Sequence, residues 1–121
     1  RALDTKLSQN AMRFHGRTAV DAHYNGLALD AREGERIAAA MCDADVGFLS
    51  NHGVVVCGAR IDHAYDDLYY LERACQAQVL AQSTGRPLAP VAADLAARVC
   101  AQTLGERLQS ELSFEALRRR L

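Results

Sequence analysis

Residues 46–57, "VGFLSNHGVVVC", constrain the fold more than any other stretch of the chain. They are dense in Val, Phe and Leu, too short for a stable helix and rich in β-branched side chains that favour strand. Asn51 and Gly53 interrupt the run with turn-forming residues on either side of His52. The segment therefore reads as two strands, or one sharply bent strand, pivoting at His52. Val54, Val55 and Val56 form a continuous apolar run, a pattern that predicts a strand buried on both faces. Gly58 closes it.

Helical patterns lie on both sides of this block. Upstream, Asp30 is placed as an N-cap with Glu33 three residues on, the spacing of a capping box. Ile37, Ala38, Met41 and Cys42 then recur at helical spacing, which predicts a helix over 31–42. Downstream, Asp62 is the expected N-cap of a long helix reaching about residue 84. Leu68, Leu71, Cys75 and Val79 give it an apolar stripe. Gly85 is placed as its C′ residue and Pro87 blocks continuation. A further helix is expected from Pro90 to about Leu108, with Val91, Leu95, Val99 and Leu104 or Leu108 facing inward. Ser113 is the expected cap of a last short helix, "FEALRRRL", whose Arg118, Arg119 and Arg120 complement the helix dipole. The region before residue 30 is less regular, with a short strand expected near 18–20. The order of elements describes an α/β layer arrangement, a small sheet backed by helices.

At 121 residues the expectation is one domain. Charged residues make up 24% and the formal net charge is −1, so charge gives no argument for a nucleic acid or a membrane surface as partner. No apolar run approaches the roughly 20 residues of a membrane-spanning helix, and no signal peptide is recognisable. Cys42, Cys57, Cys75 and Cys100 form no C-x-x-C pair and sit in apolar or helix-like surroundings. They are expected to be buried free thiols, Cys57 inert in its strand, in a reducing cytoplasm.

Phosphate-binding glycine loops and the G-x-S-x-G nucleophile elbow are absent. His15, His23, His52 and His63 form no H-x-H pair and no H-E-x-x-H motif, and a catalytic zinc site typically needs three protein ligands. His52 stands apart, because a histidine at the end of an apolar strand is held rigidly. On local chemistry alone it is either the polar tip of a turn or a ligand. Glu72, beside Leu71, reads as a solvated helix glutamate or a residue supporting a site or subunit contact. Tyr65, Tyr69 and Tyr70 read as packing and interface residues.

Residues 48–88, "FLSNHGVVVCGARIDHAYDDLYYLERACQAQVLAQSTGRPL", resemble the class II aldolase/adducin family. The shared features are an apolar strand, N-H-G, a second apolar strand ending in Gly58, then a long helix opening on Asp62-x-Ala64 and carrying Leu71-Glu72-Arg73-Ala74. Upstream, "QNAMRFHGR" and "YNGLALDAREGERIAAAM" resemble a bacterial branch of the same family.

The resemblance implies a three-layer α/β/α fold around a mixed sheet with flanking helices, of which this chain is the C-terminal part of a single domain. It implies a lyase or an isomerase/epimerase acting on a small, sugar-like hydroxy-carbonyl substrate with a divalent metal, usually Zn²⁺. Three histidines bind that metal in the family enzymes, two from an H-x-H motif and one from N-H-G, the position that His52 matches. The H-x-H pair and the acid/base carboxylate are expected upstream of residue 1. A homo-oligomer, a tetramer by resemblance, is the expected assembly, with no nucleic acid and no membrane partner. Two other readings accompany the enzyme: a non-catalytic, adducin-like assembly or binding module, and an inactive truncated fragment.

Overall fold

The computed structural model describes residues 2–121. In chain order the elements are α1 (Gln9–Met12), β1 (Thr18–Asp21), α2 (Ala31–Met41), β2 (Val46–Leu49), β3 (Gly53–Val56), α3 (Ile61–Ser83), α4 (Ala93–Gly105) and α5 (Leu108–Arg118). They gather into two compact units, Gly16–Cys57 with Ala2, and Leu3–His15 with Gly58–Leu121.

The smaller unit carries the sheet, in the order β1-β2-β3. β1 runs parallel to β2, with Thr18 opposite Val46 and Asp21 opposite Leu49. A parallel pair needs a crossover, and α2 supplies it. α2 begins as the sequence predicts: Asp30 is extended, and its carboxylate accepts the Glu33 N–H at 2.9 Å. The carboxylate of Glu33 turns to Arg36 three residues on, so the N-cap forms but the reciprocal half of the capping box does not. β2 and β3 form an antiparallel hairpin with Leu49 opposite Gly53. Val46 is fully buried and Met41 buried. A Cβ on Gly47 would lie 2.8 Å from Val55 Cγ1 and 3.2 Å from Met41 Sδ, so any larger residue there would have to displace the Val55 side chain.

The expectation of a β3 buried on both faces is not met. β3 pairs only with β2 and is a sheet edge among the described residues; Val54 is 41% exposed. The valine run reflects strand preference rather than two-sided burial.

In the larger unit α3 packs against α1 and α5, and α1 packs against α4. Leu71 and Ala74 of α3, Ala96 and Cys100 of α4, and Ala11, Met12 and Phe14 are buried. α3 corrects two expectations. Its N-cap is Arg60, and Asp62 lies in its first turn, accepting the His63 N–H at 2.9 Å and two bonds from Arg60 at 3.0 and 2.6 Å. Its buried face runs through Asp67, Leu71, Ala74 and Gln78, whereas Val79 is 64% exposed and Leu68 is also exposed.

Polar side chains occupy that buried face because each meets a partner. Arg107 donates twice to Asp67 at 2.8 Å, and Gln78 Oε1 accepts the Asp4 N–H at 2.7 Å. Beside them Asp66 accepts from Arg13 at 2.9 Å and from Ser110 at 2.8 Å. Buried charges met in this way avoid the desolvation penalty of an unpaired ion.

The α4–α5 boundary also differs from expectation. α4 ends at Gly105, Glu106 leaves the helical region at φ −103°, ψ 43°, and α5 starts at Leu108 with Ser113 in its interior. The inward face of α4 is Ala96 and Cys100, while Leu95, Leu104 and, on α5, Leu108 are exposed. The C-terminus of α3 follows the prediction: Thr84 is the C-cap, and Gly85 has φ +66° and donates its N–H to the Gln82 carbonyl at 3.2 Å.

Candidate functional site: the His52 hairpin

The register that pairs Leu49 with Gly53 leaves Ser50, Asn51 and His52 as the loop between β2 and β3. The His52 N–H donates to the Leu49 carbonyl at 3.1 Å and closes the turn. Asn51 has φ +56° and Gly53 φ +145°. Asn is among the few side chains that enter the left-handed region readily, and Gly is favoured at positive φ. The backbone thus accounts for Asn51 and Gly53. It makes no such demand at His52, whose side chain is open to selection for chemistry. His52 is exposed, and its ring has no hydrogen bond or ion pair among the described residues.

A second fixture lies beside this loop. Asp21 ends β1, and its carbonyl accepts the Ser50 N–H at 3.0 Å. The Asp21 carboxylate, 6% exposed, accepts Arg36 Nη1 at 3.0 Å, Arg36 Nη2 at 2.6 Å and the His23 N–H at 3.0 Å. Arg36 also grips Glu33, with Nη2 at 2.8 Å and Nε at 3.0 and 3.1 Å. The Arg36 guanidinium, ahead of the His23 amide, brings the Asp21 carboxyl down to about 2. Arg36 likewise lowers Glu33, and Glu33 and then Asp21 raise Arg36. Both carboxylates are ionised at neutral pH and committed to Arg36. Asp21, His23, Glu33, Arg36, Ser50 and His52 share the lining of one small recess.

The donor set decides what metal chemistry this chain can hold. Among the described residues no three His, Cys, Asp or Glu side chains stand together as a metal-holding group. His52 and His23 line the same recess and each carries an imidazole with no hydrogen bond among the described residues, while Asp21 and Glu33 are engaged by Arg36. In the other unit, His15 Nδ1 bonds Thr5 Oγ1 at 2.9 Å and His63 Nε2 bonds Glu111 at 3.2 Å. These residues can supply part of a metal site, and the three protein ligands typical of catalytic zinc do not come from them alone.

The remaining candidates fall outside this recess. Glu72 is exposed on α3 and accepts a bond from Gln76 at 3.1 Å. Tyr65 meets Phe114 edge-on at 5.5 Å, Tyr69 meets Tyr70 at 5.3 Å, and the Arg13 guanidinium lies 4.3 Å from the Tyr70 ring centre, so these tyrosines do pack. Arg118 and Arg119 pair with Glu115 at 3.2 and 3.4 Å. The expectation of four buried thiols holds for Cys100 alone, whose Sγ donates to the Arg13 carbonyl at 3.2 Å. Cys75 is half-buried, and burial pushes its thiol up. Cys42 and Cys57 are exposed, because they follow the last residues of α2 and β3 rather than lying within them. Sequence reasoning missed the Asp21–Arg36 clamp. The three-residue spacing of Glu33 and Arg36 was its one local signal.

Residues 1–79 match the Class II Aldolase and Adducin N-terminal domain family, so the chain belongs to that family. A solved aldolase II superfamily protein from Pseudomonas syringae superposes with a TM-score of 0.79 at 36% identity, covering 95% of this chain and 47% of that one. L-fuculose 1-phosphate aldolase from Glaciozyma antarctica PI12 gives a TM-score of 0.71 at 25% identity, covering 84% and 36%. A Streptomyces roseochromogenus subsp. oscitans protein named 4-hydroxy-3-prenylphenylpyruvate oxygenase/4-hydroxy-3-prenylbenzoate synthase is 33% identical over 111 residues, 92% of this chain and 39% of its own length. The chain spans 28% to 40% of the length of the curated relatives it matches. The mixed α/β architecture expected from the sequence is that of class II aldolase neighbours.

Proposed function

We propose that this chain is the C-terminal part of a class II aldolase-like domain in a divalent-metal-dependent lyase or isomerase acting on a small hydroxy-carbonyl compound, with His52 as one metal ligand. The observation that carries this reading is the uncommitted His52 imidazole on a turn whose Asn and Gly are explained by backbone geometry. Family membership supports it, and Zn²⁺ suits an imidazole donor. The metal, when bound, supplies Lewis-acid polarisation of a carbonyl oxygen. His52 orients one coordination position. Asp21 and Glu33, held ionised by Arg36, contribute negative charge beside it and do not serve as the proton carrier. The remaining ligands and the acid/base carboxylate come from the part of the protein that the longer relatives contain and this chain does not span.

The assembly belongs to the same proposal: a cytoplasmic homo-oligomer, a tetramer. Exposed apolar side chains such as Leu27, Leu29, Ile61 and Leu80 call for cover, from the rest of the protein or from another subunit. No helix among the described residues is long and apolar enough to cross a membrane. Metal analysis of the full-length protein, purified without chelators, tests the enzyme reading against the adducin-like module. Near-stoichiometric divalent metal is expected. A metal-free protein that still assembles would replace the enzyme with the assembly module.

A further inference from the structure

We propose that Arg36 and Asp21 are positioning residues for His52, an inference that rests on His52 being a metal ligand. The loop that carries His52 is tied to its surroundings by two backbone bonds. One is internal, from the His52 N–H to the Leu49 carbonyl at 3.1 Å. The other runs to a different strand, from the Ser50 N–H to the Asp21 carbonyl at 3.0 Å. Asp21 is the last residue of β1, where a strand end would ordinarily fray. Its side chain prevents that, fixed by the Arg36 fork at 3.0 and 2.6 Å and by the His23 amide at 3.0 Å. Arg36 is itself anchored on α2 through Glu33.

Rigidity thus passes from α2 through Arg36 to Asp21, and from the Asp21 carbonyl to Ser50, two residues before His52. A ligand must be held within about 0.5 Å of its productive position, and residues that orient ligands typically carry 10–100-fold of metal affinity. A bidentate guanidinium fits this task where an ammonium does not, because it fixes both carboxylate oxygens and with them the rotation of the Asp21 side chain.

The same unit contains an internal control. Arg17 also grips both carboxylate oxygens of Asp45, with Nη2 to Oδ2 at 2.7 Å and Nε to Oδ1 at 3.1 Å. That pair lies at the opposite end of the strands, where the Arg17 carbonyl accepts the Val46 N–H and the Asp45 carbonyl accepts the Cys57 N–H. It supports the sheet at the end away from the His52 loop.

The test is a Co²⁺ titration of the full-length protein, with Co²⁺ alone as probe, followed through its visible ligand-field bands. Arg36→Ala and Asp21→Asn are expected to weaken Co²⁺ binding at least tenfold and to alter the band shape. Arg36→Lys is expected to recover affinity only in part. Arg17→Ala is expected to lower thermal stability and leave affinity and spectrum unchanged. Wild-type Co²⁺ affinity in a folded Asp21→Asn protein would overturn the positioning role even if Arg36→Ala failed to fold. Equal weakening by Arg17→Ala would also overturn it, by showing a general effect of loosening the sheet. His52→Ala separates the two levels: if it binds Co²⁺ like wild type, the ligand assignment falls; if it loses Co²⁺ while Asp21→Asn keeps it, only the positioning role falls.

Discussion

In the larger unit the bidentate Arg107–Asp67 pair is enclosed, with side-chain exposures of 16% and 2%, and Asp66, Arg13 and Ser110 stand beside it. In the smaller unit the Arg36–Asp21 pair is built from the same chemistry, but Arg36 is 30% exposed and the pair lines a recess. The first pair ties α3 to the start of α5 across forty positions of sequence. The second ties a helix to the end of a strand and, through one amide, to the loop that presents His52. One motif lies inside the packing and the other lines the candidate recess, and the difference lies in what stands next to it. The enclosed fork is bordered by other charged and polar side chains, whereas the fork at the strand end stands in a recess beside an uncommitted imidazole.

Acid should affect both units at once and have the largest effect. Asp21 and Asp62 stand at about 2 in the folded protein, held there chiefly by Arg36 and Arg60, against an ordinary value of 3.8. Each binds its proton more readily when unfolded. The stability each contributes is therefore present above about pH 4 and lost as pH falls towards 2. Urea midpoints of the full-length protein should drop steeply over that window, and Asp21→Asn should flatten the drop; an unchanged slope would contradict the assigned pairing.

Breaking the enclosed fork comes next. Arg107→Ala leaves Asp67 short of its closest charge partner and should cost about 3–4 kcal/mol, read from urea unfolding. A loss below about 1 kcal/mol would mean that Arg13, 3.7 Å from Asp67, suffices alone. In the smaller unit, Gly53→Ala meets no atom within 4 Å, so its cost comes from φ +145° alone, about 2 kcal/mol. It should also reduce metal retention, which would show that turn geometry and ligand placement are one property. Asp30→Ala, which removes the α2 cap, should cost about 1 kcal/mol in thermal unfolding without altering metal content.

The regularities that sequence exposes are local. The α2 start was legible because Asp30 and its Glu33 partner are three residues apart, and the hairpin because Asn51 and Gly53 serve the backbone. The larger unit was read less well, because a hydropathy pattern assigns charged residues to the surface. Asp67 and Gln78 face inward, on partners at Arg107 and Asp4 that lie 40 and 74 positions away. Leu68 and Val79, assigned to the core by the same logic, are exposed. The α4–α5 break was missed for the same reason, since Arg107 makes its bidentate contact with Asp67 just before α5 begins. At the candidate site, His52 was visible in the motif. The clamp that holds its loop was not, because Asp21 and Arg36 meet only once β1 and α2 are folded together.

The most direct measurement is the metal content of full-length His52→Ala, purified beside wild type under identical chelator-free conditions. The account predicts near-stoichiometric divalent metal in wild type and at least a tenfold loss in the folded variant. A His52→Ala protein that keeps the wild-type metal content would contradict it.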